Sequence, residues 1–307
     1  MAVNLLNLPS EVLLEIISYL DFPFFAADIG RLTLSRRWYD LALSSLRNLQ
    51  LALGPLQLPW VPAIINLVHP SIISLSLVLT PDKSRTAEEL RSLQATLRAL
   101  ANNILKNCRS LRNLSIALGY LWDVPPMTYT AHSLLVSVPQ NLTTLCIDTS
   151  LCSWTGQPRN RPAPKWHLCD TINKIIFLGS LRTLHCRMIS ACEKLLALPE
   201  DISHDNPVTS LKLKRVVISL TWCIARSHRR DIDKTCPHVP CNSLRFTRSC
   251  EEGVKDYCLP EAITQQAVLL AERMKKPEVV RVWTYNYLGS GSKMFEMMAF
   301  DALACKQ

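Results

Sequence analysis

The apolar positions of this chain switch between two periods. Near the start, Val12, Leu13, Ile16, Ile17 and Leu20 stand at i, i+1, i+4, i+5 and i+8, one stripe at helical spacing. Leu8-Pro9 precedes the stripe. Proline at a first helical position loses no hydrogen bond and arrives with its φ preset. Glu11 falls in the first turn, where a negative charge suits the helix dipole. Asp21-Phe22-Pro23 predicts the end of that helix. A second apolar segment runs from Phe24 to Leu32, and a third helical stretch carries Leu34, Trp38 and Leu41. Three short helices in about fifty residues bury little core on their own, so a partner is expected to stabilise them.

Beyond this segment the period changes. Apolar-x-x-apolar-x-apolar occurs as Leu46-Arg-Asn-Leu49-Gln-Leu51, Ile72-Ile-Ser-Leu75-Ser-Leu77, Leu111-Arg-Asn-Leu114-Ser-Ile116 and Leu142-Thr-Thr-Leu145-Cys-Ile147. It recurs as Leu181-Arg-Thr-Leu184-His-Cys186 and Val208-Thr-Ser-Leu211-Lys-Leu213, with Val279-Val-Arg-Val282 a weak last copy. Helical segments separate the copies. Thr86-Ala-Glu-Glu89 reads as a capping box, and Leu90, Leu93, Leu97, Leu100 and Ile104 follow at helical spacing. His132–Val138, Cys169–Leu178 and Ala191–Leu198 read as shorter helices, and Pro260 to Lys276 as a long one. Helix then strand, repeated, predicts parallel strands joined by right-handed crossovers. The motif is the strand signature of leucine-rich repeats, at spacings of about 26 to about 39 residues against the roughly 20–29 of regular repeats. An α/β domain with Leu-rich strands by chance fits the same pattern.

The opening stretch also carries unlike features in a fixed order: Leu8-Pro9-Ser10-Glu11, the apolar stripe, Ser18-Tyr19-Leu20, then Arg36-Arg37-Trp38-Tyr39-Asp40-Leu41-Ala42. Over roughly residues 4–50 this resembles an F-box, and the layout as a whole resembles fungal-type F-box proteins with an irregular leucine-rich-repeat-like C-terminal domain. The likeness departs in two places. The stretch from Pro23 to Trp38 is a few residues longer than in many members, and Leu34-Ser35 replaces the usual Val-Cys before the basic pair. The resemblance implies docking on the Skp linker subunit of cullin–RING (SCF) ubiquitin ligases. The family's contact surface maps onto Leu8, Pro9, Leu13, Ile16, Ile17, Leu20, Leu34 and Trp38. Some of these must form the domain's own core, and the pattern does not sort them.

Composition narrows the rest. Hydrophobic residues make up 48% of 307 positions, enough for a sizeable core in one large or two small domains. Glu11, Glu15 and Asp21 interrupt the N-terminal apolar run, so it does not read as a signal peptide. The longest apolar stretch, Ile64 to Leu79, carries Asn66, His69 and Pro70 and is too broken to span a bilayer. Twelve cysteines without a secretory signal predict reduced thiols in cytosol or nucleus. The net charge is +9, with basic clusters at Arg159, Arg161 and Lys165 and at Arg226, Arg229 and Arg230. A solvated basic face fits them, as does an acidic or phosphorylated partner. Nucleic acid fits less well, because no aromatic residues interleave and no nucleic-acid motif is present. Trp122–Met127 is a proline turn, and Gln157–Lys165 and Arg226–Cys258 read as loops.

Candidate chemistry is sparse. Cys236-Pro-His238-Val-Pro-Cys241 fits one zinc knuckle, but Cys250 and Cys258 are too widely spaced for a second. With eight glycines there is little material for a phosphate-binding loop, and no nucleophile-elbow or metalloprotease motif occurs. No catalytic residue, cofactor or metal is assigned. The chain is expected to be an α/β protein: an N-terminal three-helix F-box over residues 1–50, followed over 51–307 by an irregular leucine-rich-repeat-like α/β solenoid. The expected role is a substrate-recognition adaptor of an SCF ubiquitin ligase, holding an unknown protein target. The alternatives are a non-catalytic F-box scaffold that delivers no substrate and, from another class, a zinc or thiol enzyme in the C-terminal half.

Overall fold

The computed structural model describes residues 7–27, 29–53, 72–79, 95, 100–105, 107–118, 132, 134–149, 168–188, 191, 193–199, 211–220, 261–287 and 295–304. The proline loops, the basic clusters, the Cys236–Cys258 segment and most of the capping-box helix lie outside them. Among the described residues no helix is long and apolar enough to cross a membrane. None of them forms a His/Cys/Asp/Glu group that could hold a metal ion.

The chain opens with helices α1 (Ser10–Ala27) and α2 (Arg36–Ser45), joined by a 3-10 turn at Ile29–Thr33. Among the described residues eight strands follow: β1 (Asn48–Leu53), β2 (Ser74–Leu79), β3 (Asn113–Leu118), β4 (Thr144–Asp148), β5 (Thr183–Met188), β6 (Arg215–Leu220), β7 (Val279–Tyr287) and β8 (Phe295–Asp301). Helix α3 (Leu168–Ile176) precedes β5, and α4 (Glu261–Arg273) precedes β7. The strands form one sheet in chain order, with β1 to β7 parallel and β8 antiparallel to β7. The protein is therefore mixed α/β, N-terminal helices followed by a largely parallel sheet. The expected boundary at residue 50 falls inside β1.

Register explains why the repeated leucines exist. Leu49, Leu75, Leu114, Leu145, Leu184, Val216 and Val280 stand side by side across the sheet. Two residues on, Leu51, Leu77, Ile116, Ile147, Cys186, Ile218 and Val282 form a second row, and both rows are fully buried. The first apolar position of each copy, from Leu46 and Ile72 to Leu181, is buried as well. At each strand's entry one carbonyl accepts two successive backbone N–H groups. Arg47 O takes Ile73 and Ser74, Ile73 O takes Arg112 and Asn113, and Arg112 O takes Thr143 and Thr144. Thr143, Arg182 and Lys214 repeat the corner for the next three strands. The buried face is covered from one side. Ile172, Ile175 and Ile176 of α3 and Ile263, Ala267 and Leu270 of α4 are buried, and Asn173 Nδ2 of α3 donates to the Ala197 carbonyl at 2.7 Å. After α3 the chain turns through Gly179 at φ +78°, a left-handed position that suits glycine, before entering β5.

Five of the seven expected copies sit in the sheet at the register read from the sequence. The sixth is displaced. Of Val208-Thr-Ser-Leu211-Lys-Leu213, residues 208–210 lie outside the described residues, and Leu211 and Leu213 precede the strand. The sheet uses Leu213-Lys-Arg-Val216-Val-Ile218, a second frame of the same pattern that shares Leu213. Leu211 instead makes an isolated bridge to Met274, and its carbonyl accepts Lys275 N at 3.2 Å. In the seventh, Val280 and Val282 occupy the two buried rows. Strand β8, which carries no copy of the motif, was not expected.

The N-terminal helices also differ from expectation. Helix α1 does not stop at Asp21-Phe22-Pro23 but continues to Ala27. An interior proline costs about 3 kcal/mol. Carrying the helix onward buries Phe25 completely, and a buried phenylalanine returns about 1.5–3 kcal/mol, before its contacts with Phe24 and Trp38 are counted. The middle of the expected three helices is therefore only the 3-10 turn at Ile29–Thr33.

Thiol chemistry follows burial. Burial pushes the Cys108 thiol from 9.0 up to about 11. It raises Cys186 too, with Cys146 nearby adding to the effect. In the folded protein at pH 8, mass-spectrometric mapping after alkylation should find Cys108 and Cys186 unmodified, and denaturant should expose them. A thiol whose folded pKa is raised contributes stability below its unfolded pKa and loses it as pH rises. The melting temperature should therefore fall between pH 9 and 11, and faster in wild type than in a Cys108→Ala/Cys186→Ala variant.

Candidate partner-docking site

Helices α1 and α2 pack against each other, with the 3-10 turn wedged between them. Ser35 caps α2: its hydroxyl accepts the Trp38 N–H at 3.1 Å. A capping side chain of this type contributes about 1 kcal/mol. The Leu34-Ser35 pair that departs from the usual family residues is thus a helix start. Trp38 and Ala42 form the buried face of α2. The Trp38 ring lies 6.4 Å from that of Phe25, and its indole N–H donates to the Arg31 carbonyl at 2.7 Å. Arg31 in turn donates to the Phe24 carbonyl at 2.9 Å and lies over the Phe24 ring, 4.5 Å from its centroid. The connection between the helices is therefore pinned by an indole hydrogen bond, a guanidinium and three aromatic rings.

At the other end, Arg37 reaches back to the start of α1. Its Nη2 donates to the Leu8 carbonyl at 2.8 Å and to Ser10 Oγ at 2.9 Å. Pro9, between them, supplies the carbonyl that accepts the Leu13 N–H at 3.1 Å. It sits at the cap of α1, one residue ahead of the first helical position. The Leu8-Pro9 corner is held by Arg37, a contact between residues far apart in sequence that no local pattern shows.

The structure divides the eight residues read from the resemblance. Leu13, Ile17 and Trp38 are buried in the domain's own core. Leu8, Ile16 and Leu20 are half-buried against it. Pro9 and Leu34 are exposed, Leu34 by 56%. Three apolar residues join the exposed set, Val12, Leu14 and Tyr19, the last 78% exposed. Val12, Ile16 and Tyr19 stand at i, i+4 and i+7, a stripe one residue round the helix from Leu13, Ile17 and Leu20, of which Leu13 and Ile17 are buried and Leu20 half-buried. The sequence shows both stripes as one broad apolar face, and only packing against α2 decides which turns inward.

A helical pair that leaves an apolar flank beside its own small core has the form of a helix-face docking device. Comparison with known families agrees. The model of the family described as F-box-like matches residues 5–47. No curated protein matches the chain. Residues 5–47 of this chain are an F-box-like domain.

Proposed function

We propose that the protein is a substrate-recognition adaptor of an SCF-type ubiquitin ligase. The F-box-like domain docks the Skp linker, and the sheet domain holds a target protein. The observation that carries the docking half is the exposure of the apolar residues Val12, Tyr19 and Leu34, with Ile16 half-buried beside Val12 and Tyr19 on α1, on a domain of the type that binds this linker. Leu13, Ile17 and Trp38 act from the core by holding the helices in place.

The target-holding half rests on repetition. Seven parallel strands in chain order, with the same two-donor corner between each consecutive pair, support reading the sheet as an irregular leucine-rich-repeat-like solenoid. In such an arc the strand face away from the helices is the binding surface. The middle row on that face reads Gln50, Ser76, Ser115, Cys146, His185, Val217 and Arg281. The protein itself performs no chemistry in this reading. It supplies effective concentration and orientation of a target.

Co-purification with the Skp linker tests the docking half. Wild type should capture the linker, and Leu34→Asp should lose capture while retaining its helical circular dichroism. Absence of capture by wild type removes the reading. Deleting residues 1–50 separates adaptor from scaffold: in cells, a ligase target accumulates when the docking domain is lost, whereas the partner of a scaffold keeps its level.

A further inference from the structure

The two-donor corners place one residue of every strand entry side by side: Arg47, Ile73, Arg112, Thr143, Arg182, Lys214 and Glu278, from β1 to β7. Arginines alternate with Ile73 and Thr143 as far as Arg182, then Lys214 follows and the row ends in a carboxylate. Arg47, Arg112, Arg182, Lys214 and Glu278 are exposed. The last positions show what the row does with an acid. Glu278 Oε2 accepts from Arg215 Nε at 2.6 Å, and its Oε1 lies 3.3 Å from Lys214 Nζ. These two cations, Arg215 first, hold the Glu278 carboxyl below its usual range.

One step earlier the same arrangement lacks its acid. Arg112 and Arg182 flank Thr143, two strands apart. The Thr143 hydroxyl is committed to the Arg112 carbonyl at 3.0 Å. Arg112 donates through Nη1 to the Asn141 carbonyl at 3.2 Å, which leaves the rest of its fork. Arg182 forms no ion pair among the described residues. Neighbouring strands lie about 4.8 Å apart, so the two arginines stand about 10 Å apart across Thr143, and Arg47 continues the row at the same interval beyond Ile73.

We infer that the row Arg47–Arg112–Arg182 binds an extended acidic segment of a partner protein, laid across the strand entries, with Arg112 and Arg182 receiving its carboxylates as Lys214 and Arg215 receive Glu278. The inference rests on reading the sheet domain as the target-holding part. Guanidinium forks take carboxylates in pairs, which favours this ligand. A chain extended as polyproline II has three residues per turn and advances about 3.1 Å per residue, so acids at every third position share one face about 9 Å apart and match arginines about 10 Å apart. Single-stranded nucleic acid is recognised by aromatic stacking beside the positive charge, and the row contains no aromatic residue.

The test uses the full chain bound to the Skp linker and a fluorescein-labelled peptide of four Glu-Ser-Ser units, read by anisotropy. The complex should bind this peptide and not the Gln-Ser-Ser counterpart. Arg182→Glu should weaken binding by about tenfold or more, the effect of losing one charged contact. Lys194→Glu makes the same charge change at an exposed site in the 3-10 turn packed among the helices, and should leave binding unchanged. Three results overturn the inference: no preference for Glu over Gln, equal losses in both variants, or displacement by single-stranded RNA at lower concentration than by unlabelled peptide. Linker capture is scored on the same samples. Intact capture without peptide binding defeats the acidic row alone, whereas failed capture defeats the docking reading instead.

Discussion

Replacing Trp38 by alanine is expected to unfold the N-terminal helices and abolish capture of the Skp linker, although the indole itself is buried and touches no partner. Trp38 is 1% exposed and among the largest fully buried side chains. Truncating such a group costs about 3–5 kcal/mol through lost transfer and a residual cavity. The loss extends past packing. The indole N–H is bonded to the Arg31 carbonyl, and removing it leaves that carbonyl without this donor where the chain crosses from α1 to α2. A unit this short has little stability in reserve. Hydrogen exchange over residues 10–45 reads the effect directly. Trp38→Ala should lose protection throughout, and Trp38→Phe, which keeps a ring but not the donor, should fall between. Leu34→Asp should lose the linker with protection intact. A Trp38→Ala protein that keeps its exchange protection would refute the assignment of Trp38 as the core anchor.

The contrast between Trp38 and Leu34 marks how far the sequence could be read. The two stand four residues apart, and both belong to the resemblance. Nothing local says that one faces inward and the other out, because that depends on where α1 lies. Val12 and Tyr19 were hidden for the same reason. They sit on a stripe that pattern alone merges with the buried one. Ser35 is of a capping type, yet its role as the cap of α2 emerges only from the structure, since the sequence shows it simply as a departure from the usual family residues. The Arg37 clamp on Leu8 was not legible either, since it joins residues 29 apart. In the sheet, five copies of the motif could be placed because each has one frame. The sixth offered two overlapping frames sharing Leu213, and tertiary packing chose the later one, which aligns Val216 and Ile218 with β5. Strand β8 pairs antiparallel with its predecessor and follows a different logic, so a motif built on parallel repeats gives no sign of it. Proline at position 23 misled because its local penalty is offset by the burial of Phe25 together with its ring contacts with Phe24 and Trp38.

Leu184→Ala should produce the other large effect, at the opposite end of the molecule's architecture. Leu184 is fully buried at the second position of β5, between Leu145 on β4 and Val216 on β6. Leucine-to-alanine changes at such sites cost about 2–5 kcal/mol, more where the surroundings cannot collapse. The parallel ladder resists collapse, because both neighbouring strands are held by their own corner hydrogen bonds. If the sheet is a solenoid, its stability is a sum of neighbour terms, and damage at one strand spreads first to those beside it. Native-state hydrogen exchange should then lose protection in β4 to β6 before β1 and β2, while residues 10–45 stay protected and the linker is still captured. An α/β domain with a single cooperative core predicts the opposite, with protection lost at one rate from β1 to β7. The order of loss thus separates the repeat reading from the alternative that fits the same leucines. It also decides whether the acidic-segment row, which spans β1 to β5, rests on one rigid platform or on strands that open independently.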